Sequence, residues 1–237
     1  MSLYIDYYLL GILLVPGIIL AIYAQFKVSS TFSKYKEIPS ESGKTAYEVA
    51  RMFLDYAGLK DIQIIKVKGE LTDYYNHSKK VLALSESTYN SSSISALGVA
   101  CHEVGHALQY KTHYLPIMIR NFIVPIVNFV NYFVWYLIVI GFIIFYTTSN
   151  AIWLWVAVGI FGLSTLISLL TLPIEYNASK RALQLLKDST LLNEDETDKA
   201  KEVLNAAALT YVASLLVSIL NLLRFVILIF VRTRDRD

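Results

Sequence analysis

Residues 122–172 read FIVPIVNFVNYFVWYLIVIGFIIFYTTSNAIWLWVAVGIFGLSTLISLLTL, fifty-one residues without a charged side chain. A helix needs about 20 apolar residues to cross a bilayer, and this stretch holds two such runs, Phe122–Tyr146 and Ala151–Leu172. Only Thr147-Thr148-Ser149-Asn150 separates them, which predicts two spanning helices joined by a tight turn. Upstream, Leu3–Phe26 is a third run, with Asp6 near its start and Pro16-Gly17 in its middle. No basic residue precedes it and Lys27 follows it, the reverse of a cleavable leader, so an uncleaved anchor is expected. Downstream, Ala206–Val231 is a fourth run. Its Asn221 and Arg224 leave two alternatives, a full span or a helix lying partly in the interface.

The whole chain agrees with this reading. Of 237 residues, 55% are hydrophobic and 17% charged, with a mean hydropathy of +0.49, a composition outside that of soluble enzymes and disordered chains. A net charge of +2 provides no field for nucleic acid, so none is expected as a partner. One cysteine, Cys101, forms neither an internal disulfide nor a zinc ribbon, and four histidines are too few for a membrane di-iron enzyme.

Between the first two runs, Lys27–Leu115 carries eleven basic and nine acidic residues, the balance of a water-facing domain. Thr45-Ala-Tyr-Glu48 is a capping-box pattern, and Ala46, Val49, Phe53 and Leu54 keep helical spacing until Gly58, which predicts a helix over Thr45–Ala57. The same pattern accounts for Ser42-Gly43-Lys44-Thr45 without a phosphate loop, whose leading glycine position holds Ile38. Ile62–Val67, Glu70–Tyr75 and Lys80–Leu84, around the turn Asn76-His77-Ser78, predict two or three short antiparallel strands. Ser91-Ser92-Ser93 then offers N-caps for a helix to about Tyr110. The expected division is 1–26 (first span), 27–115 (water-facing domain), 116–172 (hairpin), 173–205 (connecting helices) and 206–237 (fourth helix and basic tail).

Within the last helix of the water-facing domain lies His102-Glu103-Val104-Gly105-His106. Residues four apart share a helix face, so both imidazoles can hold one ion, while Glu103, rotated by about 100°, reaches a water beside it. That arrangement suits zinc hydrolysis with one Zn2+ per chain. Catalytic zinc takes a third protein ligand, often Glu. His113 is a weak choice, because Lys111-Thr112 and Pro116 end the helix. Glu175, where the third run emerges at Pro173 to open a new helix, is the better one: two crossings separate it from His106, so it returns to the same side. Arg181, six residues on, is a candidate for stabilising an oxyanion. Cys101 points away from the histidine face and is read as a buried core residue. Asn128 and Asn131 are read as interhelical hydrogen-bonding residues, and Gly159, Gly162, Ser164, Thr165 and Ser168 as a close-packing surface.

Four segments, Gly69-Glu-Leu-Thr-Asp-Tyr-Tyr-Asn76, Lys80-Val-Leu-Ala-Leu-Ser-Glu86, Ala100-Cys-His-Glu-Val-Gly-His-Ala-Leu-Gln109 and Leu172-Pro-Ile-Glu-Tyr-Asn-Ala-Ser-Lys-Arg-Ala182, resemble the YugP-like neutral zinc metallopeptidases of bacterial membranes. The resemblance covers nearly the whole chain. It implies a membrane gluzincin with His102, His106 and Glu175 as ligands and Glu103 as base, and with the runs above the expected fold is a mainly α membrane protein of about four transmembrane helices with a small α+β metallopeptidase domain. A more distant similarity is to HtpX-type peptidases, whose glutamate helix reads E-x-x-A-D. Here Ser179 stands at the aspartate position, where a carboxylate would hold a histidine tautomer.

The expected activity is cleavage of membrane-proximal protein or peptide segments, with the lipid bilayer as the other partner. A zinc-clamped scaffold without activity and a hydrolase of non-peptide substrates are the alternatives. The basic residues Lys27, Lys34, Lys36, Lys111, Arg120, Lys180, Arg181 and Lys187 lie on the site side of the first three runs, and the Thr147–Asn150 turn has none. The positive-inside rule then places the site of a multi-pass protein in the cytoplasm.

Overall fold

The computed structural model describes residues 10–234. Leu3–Leu9 of the first expected span, with Asp6, and the tail residue Arg236 lie outside the described residues. A short 3-10 turn, Leu10–Leu14, leads into α1 (Val15–Lys36). Then follow α2 (Ala46–Tyr56), β1 (Gln63–Val67), β2 (Tyr74–Asn76), β3 (Val81–Ser85), α3 (Glu86–Tyr89) and α4 (Ile94–Lys111). Three long helices complete the described residues: α5 (Leu115–Thr148), α6 (Ile152–Asp188) and α7 (Glu194–Arg234). Among the described residues, four helices are long and apolar enough to cross a membrane: Leu10–Lys36, α5, α6 and α7. This is a mainly α membrane protein with a small α+β domain.

The chain divides into two compact units. One comprises 10–23, Ile119–Leu172 and 211–234, the other Ala24–Met118 and Pro173–Thr210. In the first, Asn131 Nδ2 donates to Ser164 Oγ (2.9 Å), and the Thr165 and Ser218 hydroxyls lie 2.9 Å apart. Phe161 and Phe225 stack at 4.6 Å. The glycine reading needs correction here. A Cβ built on Gly159 or Gly162 meets nothing within 4 Å, whereas one on Gly17 falls 3.0 Å from Val217 and one on Gly141 2.9 Å from Leu154. Close approach therefore occurs at the glycines opposite branched side chains.

The main apolar core of the second unit buries Val49, Leu54, Leu82, Leu84, Leu97, Cys101, Val104, Leu186 and Leu204, and a smaller cluster buries Phe32, Tyr35 and Val203. Helix α2 begins as expected: Thr45 Oγ1 accepts from the Glu48 amide while Glu48 Oε2 accepts from the Thr45 amide. Ser93 is the cap of α4, its hydroxyl accepting from the Ala96 amide at 3.3 Å. The sheet has the order β1-β3-β2, with β2 antiparallel to β3 but β1 parallel to it. The all-antiparallel expectation is thus corrected. The chain reverses between β1 and β2 and again at the 77–80 turn, and two reversals return β3 to the direction of β1. Leu82, Ala83 and Leu84 are fully buried, which puts β3 in the centre.

Pro173 also departs from expectation and opens no new helix. Helix α6 runs through it, carrying the apolar run and Glu175 on one element. Proline removes one hydrogen bond from a helix interior, but Ile174, Ala178, Ala182 and Leu186 beyond it are all buried at four-residue spacing, a stripe that holds the helix together. Helix α7 likewise passes Asn221 and Arg224 without a break.

Candidate metal centre

The residues of the centre all belong to the second unit and come from α4 and α6. Four-residue spacing on α4 sets the His102 and His106 rings edge to face, 4.7 Å between centroids. Glu175 faces both: its Oε2 lies 3.1 Å from His102 Nε2 and 3.5 Å from His106 Nε2. One ligand atom from each residue falls within a 4.8 Å group. Zinc–nitrogen and zinc–oxygen bonds of about 2.0–2.1 Å in tetrahedral array separate neighbouring donors by about 3.3 Å, so the observed spacings suit one zinc ion. Two imidazoles and a carboxylate are also the donor chemistry of a catalytic rather than a closed structural site.

The helices meet closely because of Gly105. A Cβ there would lie 2.5 Å from the carbonyl oxygen of Ala178, closer than any side chain permits. Glycine between the two histidines lets the α6 backbone reach α4, and that approach brings Glu175 onto the imidazoles. The two Nδ1 atoms have different partners. His102 Nδ1 lies 3.1 Å from Ser179 Oγ, and His106 Nδ1 lies 3.0 Å from Gln109 Oε1. Gln109 is fully buried, and its Nε2 donates to the Ile174 carbonyl (2.7 Å) and to Asn177 Oδ1 (3.1 Å). Sequence reasoning assigned no role to Gln109 or Asn177. The available signal was position: Gln109 follows His106 by three residues, the spacing at which side chains on a helix meet.

Arg181 is engaged elsewhere than on the histidines. Its Nε donates to Asn177 Oδ1 at 2.8 Å and its Nη1 to the Leu108 carbonyl at 3.5 Å. His113 stands outside the ligand group, exposed, with a left-handed φ of 50° in the turn after α4. Glu103 is buried on α4. Burial raises its carboxyl pKa above the ordinary range, the nearby His106 and His102 oppose that, and the charges of Glu175 and Asp73 reinforce it. For His106, burial favours the neutral ring, but the Glu175 hydrogen bond and the charges of Glu103 and Glu175 outweigh it and push the pKa up to about 9. The pocket therefore favours a positive charge between its carboxylates, whether a proton or a metal cation.

Comparison with known proteins follows the same line. A family profile described as "Putative neutral zinc metallopeptidase" matches residues 10–230. The chain is 43% identical over 218 residues to a protein of Bacillus subtilis (strain 168) named "Putative membrane protease YugP", covering 92% of this chain and 95% of that one. No solved structure matches it.

Proposed function

The chain belongs to the family described as "Putative neutral zinc metallopeptidase", and from that membership we propose that it is a membrane zinc endopeptidase of the gluzincin type. His102 Nε2, His106 Nε2 and a Glu175 oxygen would hold one zinc ion. When bound, zinc would polarise the scissile carbonyl and make a water more acidic. Glu103 takes the proton of the attacking water and delivers it to the leaving amine, and the upward shift of its pKa makes it a stronger base for that proton. Strand β2 lies at the edge of the sheet, so the segment near Leu71–Tyr75 can pair with an extended peptide. Glu175 follows the last residue of the apolar run, Leu172, by three positions, which favours protein segments next to the bilayer as substrates. The observation that carries the reading is Glu103: a clamp that only joined two helices would have no use for a buried carboxylate beside a three-donor site.

The test uses full-length protein purified in detergent. Wild type should hold about one zinc and cleave unfolded membrane-protein substrates. Glu103→Gln should lose at least about 100-fold in rate while keeping its zinc, and Glu175→Ala should lose zinc. Equal activity in Glu103→Gln, or full zinc content in Glu175→Ala, would overturn the assignment.

The same reading puts the site in the cytoplasm. Eight basic residues flank the first three spans on that side, against Arg232 and Arg234 at the end of α7, which fall on the opposite side when α7 spans. A cysteine replacing the exposed Ser78 should resist an impermeant thiol reagent in intact cells and react after lysis. Labelling before lysis reverses the topology.

A further inference from the structure

The two zinc-site histidines are held by unlike groups, and the difference has a stereochemical meaning. Ser179 offers His102 a hydroxyl, which either donates or accepts and so leaves the tautomer of that ring open. Gln109 offers His106 an amide, whose two ends are not interchangeable. Its Nε2 faces the Ile174 carbonyl, a backbone acceptor that can only receive, and Asn177 Oδ1. Asn177 is itself fixed, because the Arg181 guanidinium on its oxygen can only donate. Gln109 must therefore present Oε1 to His106, and His106 must answer with an Nδ1 proton. In the neutral ring the lone pair is then left on Nε2, the atom 3.5 Å from Glu175, where a metal ion can take it.

Resting on the metallopeptidase reading, we propose that Gln109 is a positioning residue that selects the Nε2-ligating tautomer of His106 and thereby sets the zinc affinity of the site, with Arg181 and Asn177 fixing its orientation. The group is an amide rather than a carboxylate for an electrostatic reason. Gln109 is fully buried, and Glu103 and Glu175 already supply two buried negative charges at this centre. A third would have to be desolvated beside them. The amide orients the ring without adding charge.

Zinc affinity of the purified full-length protein, measured by competition with a chromophoric chelator, is the first readout. Gln109→Leu should bind zinc about 10- to 100-fold more weakly, with helix content unchanged by circular dichroism. The second readout is the ring-nitrogen NMR spectrum of isotope-labelled histidine in the metal-free protein at about pH 10, where the His106 ring is neutral, with the His106 signals assigned by their absence from His106→Ala. The proton should sit on Nδ1 in wild type and be shared between both nitrogens in Gln109→Leu. Gln109→Glu keeps the acceptor and should restore the Nδ1 tautomer while zinc affinity stays between the other two; it also decides the matter if Gln109→Leu loses helix content. Zinc bound equally by wild type and Gln109→Leu overturns the positioning role alone. Weakened binding with an unchanged His106 tautomer does the same, since a purely structural residue would give that result. A wild type that binds no zinc overturns the metallopeptidase reading as well.

Discussion

The helices of the apolar unit and the α4–α6 pair around the metal centre are both packed helix against helix, yet they are specified differently. In the apolar unit the contacts between Asn131 and Ser164 and between Thr165 and Ser218 each include a hydroxyl, a group that can donate or accept. At the metal centre, α4 and α6 meet over a backbone carbonyl that only glycine admits, and the Gln109 and Arg181 bonds run in one direction each. Composition is enough to build the first kind of contact. The second kind needs particular residues at particular heights along two helices.

Three substitutions or conditions sharpen that contrast. The largest effect is expected from Gly105→Ala, because one methyl group drives into the Ala178 carbonyl. Overpacking of this kind costs about 1–3 kcal/mol, and since α4 must move off α6, zinc content should fall in the same preparation. A stable Gly105→Ala protein with full zinc would mean that the helices slide past each other without consequence.

A smaller effect is expected from pH on the metal-free protein. His106 rises from its ordinary 6.5 to about 9 in the folded state, so the stabilisation from its protonated form is complete below pH 6.5 and disappears as pH climbs through about 9. Melting temperature in the presence of a chelator should fall over that interval, and His106→Ala should flatten the curve. With zinc present the dependence should shrink, because the metal occupies the position of the proton.

The smallest effect is expected in the apolar unit. Asn131→Leu removes the bonds to Ser164, and interhelical hydrogen bonds in membranes average about 0.6 kcal/mol. A shift in detergent unfolding comparable to that of Gly105→Ala would erase the distinction between the two regions.

The parts of the molecule legible from sequence fall along the same division. Hydropathy located the spans, because crossing a bilayer constrains composition over about 20 residues and tolerates ambiguity about which face is which. The histidine pair was legible because four-residue spacing is a local property of one helix. Glu175 was reached by counting crossings. Asn177 and the purpose of Gly105 were not legible, since each is defined by where α6 crosses α4 and no local pattern records a crossing point; Gln109 carried only its three-residue spacing from His106, and the bonds that orient it come from α6. The parallel pairing of β1 with β3 escaped for a related reason: strands of three to five residues carry too few alternations to declare their neighbours. Pro173 misled because the rule that proline ends helices is local, whereas the buried stripe from Ile174 to Leu186 that carries α6 through is tertiary.

Cys101 sits on α4 next to His102 in sequence, fully buried, and burial pushes its thiol pKa upward. Thiolate, the form attacked by peroxides and alkylating agents, is therefore scarce there at neutral pH. A centre built on nitrogen and oxygen donors, with its one neighbouring sulfur shielded, is insulated from thiol oxidants that silence cysteine-dependent sites. The same shielding makes the native chain a quiet background for chemistry, on which any cysteine placed at the surface becomes the reporting thiol.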